Sequence, residues 1–377
     1  MTKVMVFSDW FAPGYKAGGP IQSLVNLTRS LDQVQFFVVT SDTDHHSTEP
    51  YTNLDSNTWV RFEKHIQVMY LTKDRINQGV FKNLLQEIQP NTVYLNSMFS
   101  PRFTITPLIA LRAMHWKGKV VVAPRGMLKP SALAEKAWKK KLFLIIARWK
   151  GYYKYVRWHA TNEAEVLEIR KHFGNDSVTV IADNLPALPQ IDAPVSQKRA
   201  GHLRLICVAR ISPEKGIEEA LRFLTGFDWN GSVHIDFIGA KQNESFLKKC
   251  EAIASQLQGV RIQFVGEESP SQLEMRWKEY DGMYLPTRGE NFGHAIAESL
   301  NHGVPVVISN RTPWKDLEQK GVGWDLPLEI EAFQPILKRL VDMDQEEHQR
   351  MCNEAWKYAC DLHQETNRYR ASEQLFL

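Results

Sequence analysis

Short apolar runs rich in β-branched residues alternate along this chain with longer amphipathic runs, and this alternation limits the possible folds more than any other feature. The first series comprises Lys3 to Phe7, Gln35 to Thr40, Ile66 to Leu71, Thr92 to Leu95, Val120 to Ala123 and Val178 to Ala182. The second series comprises Leu203 to Ala209, Val233 to Gly239, Arg261 to Val265, Gly282 to Leu285 and Val304 to Ile308. Such alternation is typical of parallel sheets covered by helices. The sequence therefore predicts an α/β protein with two Rossmann-like halves.

A proline-rich segment separates the two series. It runs from Asp183 to Pro194, and its prolines forbid regular helix. The chain has 377 residues, enough for two domains that each bury a core of their own. We therefore predict an N-terminal domain at 1–183, a linker at 184–200 and a C-terminal domain at 201–355, and the resemblance described below implies that they are the acceptor and donor domains.

Composition argues against several classes of protein. The formal net charge is only +3 and no recognised binding motif accompanies the basic residues, so nucleic acid is a poor partner. The four cysteines lack disulfide or CxxC spacing, which fits a reducing cytosol. The first strand-like run is too short for a signal peptide, and no stretch reaches the roughly 18 apolar residues of a membrane-spanning helix. These features predict a cytoplasmic protein that is soluble or rests on a membrane surface.

The most informative local motif runs from Thr287 to Glu298 and continues into a Gly-Val-Pro-Val run at 303–306. It places Glu290 in a glycine-containing loop after a strand, and Glu298 on the helix that the loop opens. A helix N-terminus has unpaired N–H groups and a partial positive charge that suit a diphosphate, whereas carboxylates suit sugar hydroxyls. The motif therefore predicts a nucleotide-sugar site. The alternative is a solvated Glu298 and a Glu290 favoured only by the helix dipole.

A second motif follows the strand-like run that ends at Ala209. Arg210 stands at the end of this run, a Ser-Pro turn follows, and Lys215-Gly216 leads into an amphipathic helix. Open α/β sheets bind ligands at the carboxyl ends of their strands, so both cations are expected near a ligand. An Arg fork and a Lys point charge would stabilise a departing diphosphate. The alternative is a surface Arg and Lys at an ordinary turn.

At these residues the chain resembles the retaining GT-B glycosyltransferases of family 4, the glycosyl transferases group 1, of the bacterial surface-polysaccharide type. The resemblance rests on the Glu-x7-Glu pair of Glu290 and Glu298, the Gly-Val-Pro-Val run, and the Arg-x4-Lys pair of Arg210 and Lys215. It implies a GT-B fold in which two Rossmann-like domains face a central cleft. It also implies a C-terminal helix at 356–377 that crosses back to the N-terminal domain.

The resemblance also implies roles for single residues. Those expected in catalysis are Arg210, Lys215 and Glu290. Those expected to contact the donor are Gly18, Gly19, Asn291, Phe292, Gly293 and Glu298, the last through the ribose. No cofactor and no metal are expected, because the cations of the protein would stabilise the leaving group. Gly18 and Gly19 have an alternative interpretation, since a Pro/Gly loop after a strand is common.

The N-terminal half carries one further candidate and one departure from the family pattern. Arg125 is expected on the acceptor side, with a structural arginine as the alternative. Many relatives place a histidine that touches the donor sugar in the segment from Asn96 to Ser100, and this chain has none there. The residue of the N-terminal half that contacts the donor sugar is therefore not identified, and Asn96 and Ser100 are the candidates to replace the histidine.

The segment 136–158 is both basic and aromatic. Its cations are Lys136, Lys139, Lys140, Lys141, Arg148, Lys150, Lys154 and Arg157. On a helix, Leu142, Ile146, Trp149, Tyr153 and Val156 would form one stripe. The pattern predicts contact with an anionic membrane surface. The alternative is a helix whose stripe packs on its own sheet while its lysines are solvated.

Together these features predict a retaining, metal-independent hexosyltransferase-type enzyme. It would move a sugar from a nucleoside-diphosphate sugar to a hydroxyl acceptor, a lipid-linked or polysaccharide intermediate of bacterial cell-surface glycan synthesis, as for lipopolysaccharide. No nucleophile for a double displacement stands out, so front-face substitution is favoured. The alternatives are a GT-B sugar-nucleotide epimerase and a non-catalytic nucleotide-binding partner protein.

Overall fold

The computed structural model describes residues 1–134, 137–188, 192–226, 228–229, 231–241 and 243–377, without the side chains of Ser131, Thr366 and Asn367. The chain forms two compact units. The first consists of Met1–Leu185 and Glu365–Leu377, and the second of Pro186–Gln364. Residues 189–191 of the expected linker and Lys136 of the basic segment lie outside the described residues.

The first unit is built on one mostly parallel sheet. Its strands are β1 Thr2–Phe7, β2 Val34–Ser41, β3 Trp59–Glu63, β4 Ile66–Leu71, β5 Thr92–Leu95, β6 Lys119–Val122, β7 Arg157–Ala160 and β8 Thr179–Ile181. Its first helices are α1 Gly19–Ser30, α2 Gln78–Ile88, α3 Thr106–Ala113, α4 Pro130–Ala134, α5 Ala137–Trp149 and α6 Glu163–Phe173. The strand order is β3-β4-β2-β1-β5-β6-β7-β8, and β3 is antiparallel to β4.

The second unit has an all-parallel sheet among the residues described. Its strands are β9 His202–Val208, β10 Ser232–Ile238, β11 Val260–Gly266, β12 Gly282–Leu285, β13 Val306–Ser309 and β14 Gly323–Leu326, in the order β11-β10-β9-β12-β13-β14. Its helices are α7 Ile217–Arg222, α8 Glu244–Ala254, α9 Pro270–Arg276, α10 His294–Asn301, α11 Ile330–Asp342 and α12 Gln345–Gln364. The last helix, α13 Thr366–Glu373, belongs to the first unit. The predicted α/β class with two parallel-sheet halves is confirmed.

Local sequence explains why these elements form. In α2, the side chain of Asn77 caps the helix by accepting a hydrogen bond from the N–H of Val80, and Gln89 ends it in a left-handed conformation. The helix buries Phe81 and Leu84 on one face against the sheet. The central strands β1 and β9 are buried on both faces, so they read as continuous apolar runs. No helix in the described part of the chain is long and apolar enough to span a membrane.

Each sheet has a point at which the direction of strand addition reverses. In the first unit the chain adds strands on one side of β1 and then continues from β5 on the other side. In the second unit the same reversal lies between β9 and β12. Open α/β sheets bind ligands in the crevice outside the carboxyl ends of the two strands at such a switch point. The loops after β1, β5, β9 and β12 are therefore the candidate ligand-binding loops of the two sheets.

Candidate active site

The loop after β12 and the start of α10 form one side of the candidate site. Gly293 precedes the helix with a φ of 81°, a conformation that favours glycine. The indole N–H of Trp314 donates to the carbonyl oxygen of Phe292 at 2.5 Å, and the two rings lie 5.6 Å apart. Asn291 is exposed on the same loop. These contacts fix the loop, so the N-terminal turn of α10, with its partial positive charge, lies at the carboxyl end of the sheet.

The turn after β9 packs directly on that loop. Pro213–Lys215 form a single 3₁₀ turn, and Gly216 ends it with a φ of 67°. A Cβ at Gly216 would overlap the carbonyl oxygen of Pro286, so only glycine permits this approach. The N–H of Arg288 donates to the carbonyl oxygen of Glu214 at 3.0 Å. The two sequence motifs are thus held against each other by backbone contacts.

Lys215 and Glu290 meet at this junction. Nζ of Lys215 lies 2.5 Å from Oε1 of Glu290, and the side chains are 21% and 11% exposed. Reduced solvent makes such a pair stronger than one on the open surface. The structure therefore brings one predicted catalytic residue from each motif into direct contact.

Arg210 lies in the same β9 loop as Lys215. It is two residues beyond the end of β9, and its side chain is exposed. The backbone on both sides of Arg210 is hydrogen-bonded to β10 and the residues after it. The N–H of Ala209 donates to the carbonyl oxygen of Ile238, and the N–H of Ile211 donates to that of Ala240. Arg210 is therefore presented from a fixed backbone at the switch point, and its contact with a leaving group stays a prediction.

Glu298 occupies the second turn of α10 and is half-buried. Among the described residues, no group donates a hydrogen bond to its carboxyl oxygens. Burial raises the pKa of this carboxyl to about 7. The side chain is therefore neither fully solvated nor fully ionised near neutral pH, and it has free acceptor capacity. Its role toward a ribose stays a prediction.

Comparison with known protein families identifies the part of the chain that carries this site. Residues 190–357 match the family described as Glycosyl transferases group 1. The match covers the part of the chain that contains Arg210, Lys215, Glu290 and Glu298. None of the curated proteins matches the chain in sequence.

Solved structures similar to this chain cover both units. HepE from Anabaena, solved with UDP and glucose, has a TM-score of 0.64 and 14% identity, covering 100% of this chain and 98% of its own. Sucrose-phosphate synthase from Thermosynechococcus elongatus has a TM-score of 0.66 and 14% identity, with 100% and 98% covered. The lipopolysaccharide outer core galactosyltransferase WaaB has a TM-score of 0.55 and 14% identity, with 99% and 100% covered. These likenesses show that the chain has the GT-B fold.

In the first unit, Gly18 and Gly19 stand at the start of α1. Gly18 has a φ of 68° and precedes the helix, and a Cβ there would have nothing within 4 Å among the described atoms. The carboxylate of Asp44 accepts from the N–H groups of Tyr15 and Lys16 at 2.9 and 3.3 Å, which ties the glycine loop to the loop after β2. The loop thus leaves space for a ligand beside its glycines, and donor contact there stays a prediction.

Arg125 is held in a network within the first unit. Its Nε donates to Asn96 at 2.9 Å, one terminal nitrogen to Asn184 at 2.6 Å and the other to the hydroxyl of Tyr94 at 2.9 Å. The same hydroxyl lies 2.8 Å from Nδ1 of His159, and burial lowers the pKa of that histidine to about 3. This network fits the alternative interpretation, a structural arginine. The acceptor role of Arg125 stays a prediction.

Asp9 is a candidate that the sequence reasoning missed. It lies two residues beyond β1, and its Oδ1 accepts a hydrogen bond from the hydroxyl of Ser100, in the loop after β5, at 2.7 Å. Burial raises the pKa of Asp9, and the Ser100 hydrogen bond and the charge of Arg102 oppose this rise. The available signal was a carboxylate directly after the first strand-like run. The pair occupies the switch point of the first sheet.

The next question for the site is whether the described side chains could hold a metal ion. Among the described residues, no three His, Cys, Asp or Glu side chains are grouped so that they could hold a metal ion. The charged groups that the structure does place at the two switch points are Arg210, Lys215, Glu290 and Asp9. The chemistry available at these edges is therefore that of a carboxylate beside a cation, and of a carboxylate beside a hydroxyl.

Proposed function

We propose that this protein is a retaining family 4 glycosyltransferase that binds a nucleoside-diphosphate sugar at the carboxyl end of the second sheet. The observation that carries the proposal is the Lys215–Glu290 ion pair, which lies at the switch point between β9 and β12. A cation and a helix N-terminus suit the diphosphate, and a carboxylate suits sugar hydroxyls. HepE, which shares the fold, is solved with UDP and glucose, and this supports a donor of the same class.

Donor binding is proposed to exchange the partners of the ion pair. In the free protein the ammonium group of Lys215 is neutralised by Glu290. The donor diphosphate would take over the ammonium group, and the released carboxylate would accept hydrogen bonds from the sugar. Arg210 would hold the terminal phosphate, and Glu298 the ribose hydroxyls. The ion pair thus keeps both groups in place before the donor arrives, which lowers the entropy cost of binding.

Transfer is proposed to occur on one face of the sugar. The bond between the anomeric carbon and the diphosphate oxygen breaks while the acceptor oxygen bonds to the same carbon on the same side. The proton of the acceptor hydroxyl passes to the departing phosphate oxygen, so no protein nucleophile is needed. Arg210, Lys215 and the amides at Asn291 to Gly293, with Gly18 and Gly19, would stabilise the developing charge. The proposal assigns no step to a metal or a cofactor.

The acceptor is proposed to be a lipid-linked or polysaccharide intermediate of bacterial cell-surface glycan synthesis, met on the cytoplasmic side of the membrane. WaaB, which shares the fold, is named as a lipopolysaccharide galactosyltransferase, and this supports that class of acceptor. On the first unit, the carboxylate of Asp9 and the hydroxyl of Ser100 offer partners for acceptor hydroxyls, and Arg125 is the candidate that the resemblance implies. These groups lie at the switch point of their own sheet.

The decisive measurement is thermal stability in the presence of a panel of nucleoside diphosphates and their sugars. A ligand at 100 times its dissociation constant adds about 2.7 kcal/mol to the free energy of unfolding, so binding is readily seen. We expect Lys215→Ala and Glu290→Ala to abolish transfer, and Lys215→Ala to remove most of the stabilisation by nucleotide.

A matched control is available in the same unit. Lys249, on α8, forms a 2.7 Å ion pair with Glu218 and is not among the residues expected to contact the donor. Lys249→Ala removes a cation and breaks an ion pair as Lys215→Ala does, and it should leave both ligand stabilisation and transfer unchanged. Near-normal transfer by Lys215→Ala and Glu290→Ala would rule out the assigned site.

A further inference from the structure

The helix α5 has two apolar faces, and only one of them packs on its domain. Leu144 and Ala147 are buried, and the ring of Phe143 packs 5.2 Å from that of Phe99. The other face is exposed and forms what is here called the exposed stripe. Its members, with their exposed fractions, are Trp138 (68%), Leu142 (50%), Ile145 (55%), Ile146 (40%) and Trp149 (82%).

This arrangement corrects the stripe predicted from the sequence. Tyr153 and Val156 were expected beside Leu142 and Trp149 on one continuous helix, but both are buried. The reason is that α5 ends at Trp149, and the chain turns at Gly151, which has a φ of 61°. The spacing of Trp138, Leu142, Ile145 and Trp149 still places the exposed stripe on one side of α5.

Cations flank the exposed stripe on both sides. At 3.6 residues per turn, Lys139 and Lys150 lie along one border, and Lys141 and Arg148 along the other. The ammonium groups of Lys139 and Lys150 stand 5.4 and 6.0 Å from the rings of Trp138 and Trp149. The sequence has no acidic residue from 137 to 160. The surface is therefore apolar along its centre and positively charged at both edges.

We infer that the exposed stripe and its flanking lysines rest on an anionic lipid surface. Aliphatic and Trp side chains between two rows of cations match the interface of a bilayer, where the apolar groups enter the headgroup boundary and the cations meet lipid phosphates. A second copy of this chain would bring the same cations together, and opposite charges to offset them are absent from the segment. Binding of nucleic acid relies on cations and polar groups at the phosphates, so it gives no reason for the exposed aliphatic side chains of Leu142, Ile145 and Ile146.

The helix α5 and the turn after it contact the loop after β5, which is on the proposed acceptor side of the first unit. Tyr153, just after α5, donates a hydrogen bond to the carbonyl oxygen of Met98, and Phe143 packs on Phe99. The same loop carries Ser100, the hydroxyl partner of Asp9. The membrane would therefore lie beneath the loop that faces the acceptor. This last step rests on the proposed function, because it assumes a lipid-linked acceptor.

The test is sedimentation of the full chain with vesicles of phosphatidylcholine alone, or of phosphatidylcholine and phosphatidylglycerol in equal amounts. The charge variant is Lys139→Gln with Lys141→Gln and Lys150→Gln. Lys140 is left intact because it donates to the carbonyl oxygen of Ala132. We expect binding to the mixed vesicles, weakened on the order of a hundredfold in this variant.

The apolar variant, Leu142→Ser with Ile145→Ser and Trp149→Ser, should weaken vesicle binding about tenfold or more, since it removes the groups that enter the interface. Control variants remove exposed lysines and exposed apolar side chains elsewhere on the chain. Lys64, Lys73 and Lys357 are exposed and are replaced by Gln, and Val195 and Met275, 77% and 64% exposed, by Ser. The controls should sediment with the mixed vesicles as the unaltered protein does.

Three results would overturn the inference. The first is that the unaltered protein does not bind mixed vesicles, and the second is that the α5 variants bind them as well as their controls do. The third is that the unaltered protein forms a dimer without binding vesicles, and the apolar variant is a monomer. Retained folding is checked for each variant by its cooperative unfolding in urea, without any ligand. Because nucleotide and vesicles are measured separately, failure of membrane docking leaves the proposed donor site standing, and the reverse also holds.

Discussion

Glu298 has a carboxyl group whose protonation changes near neutral pH. Its pKa in the folded chain is raised by burial to about 7, from an ordinary value of 4.5. The folded state therefore binds this proton more tightly than the unfolded state, and the contribution of Glu298 to stability falls as the pH rises between these two values. The upper limit of this loss is about 3 kcal/mol, reduced by the water that reaches the half-buried group.

We therefore predict that Glu298→Gln stabilises the free protein above neutral pH and has little effect near the ordinary pKa of a glutamate. The glutamine cannot ionise, so the loss is removed. The measurement is the free energy of unfolding in urea for both proteins across this pH range, with Glu354→Gln, an exposed glutamate on α12, as the control. Parallel pH profiles for Glu298→Gln and the unaltered protein would show that the carboxyl is not perturbed.

At the scale of elements, the contact between the turn after β9 and the loop after β12 depends on one glycine. We predict that Gly216→Ala destabilises the protein by about 2 to 4 kcal/mol, because the new methyl group combines a left-handed backbone with overlap on the carbonyl oxygen of Pro286. The same substitution should displace Lys215 from Glu290 and reduce stabilisation by nucleotide. Urea unfolding and thermal stability with nucleotide measure the two effects.

Gly226 supplies the control for this prediction. It has the same φ of 67° as Gly216, and a Cβ there would meet nothing within 4 Å among the described atoms. Gly226→Ala should therefore cost only the backbone strain, about 1 kcal/mol, and leave nucleotide binding intact. If the two substitutions cost the same, the close approach of the two loops contributes nothing.

The elements that sequence reasoning identified and those that it missed differ in physical character. The buried parts of parallel strands such as β1 and β9 are short apolar runs rich in β-branched residues, which length and composition identify in a sequence. In contrast, β3 Trp59–Glu63 is a half-exposed antiparallel edge strand with Arg61 among its residues, so its pattern is weak. The stripe predicted for 136–158 was wrong at Tyr153 and Val156 because α5 ends at Trp149, and an apolar periodicity that continues past this point does not show where the helix ends.

At the scale of the whole molecule, strand order decides which loops meet, and no local pattern contains this order. The sequence motifs indicated Lys215 and Glu290 separately, but their contact follows from β9 and β12 being neighbours in the sheet. Asp9 was missed for the same reason, since its significance depends on β5, and with it Ser100, lying beside β1. Sequence motifs thus predict the chemistry of a site, whereas the strand order decides which residues lie together in it.

Because the proposed donor site and the membrane surface belong to different units, hydrogen exchange of the full chain should separate them. We predict that the nucleotide slows amide exchange most strongly at 210–216 and 287–298, since these loops and the first turns of α10 would contact the diphosphate and ribose. Mixed anionic vesicles should instead slow exchange in α5 and the turn that follows it, at 137–155. The measurement is mass spectrometry of peptides from the chain exchanged alone, with nucleotide, and with vesicles.

The variants give this experiment its internal controls. Lys215→Ala should remove the nucleotide effect and keep the vesicle effect, because the ion pair at the second switch point is far in sequence from α5 and belongs to the other unit. The α5 charge variant should show the opposite pattern. Protection of 287–298 by vesicles alone would mean that lipid occupies the second unit, which contradicts the assignment of the membrane surface to α5. Protection by nucleotide confined to the first unit would contradict the donor site itself.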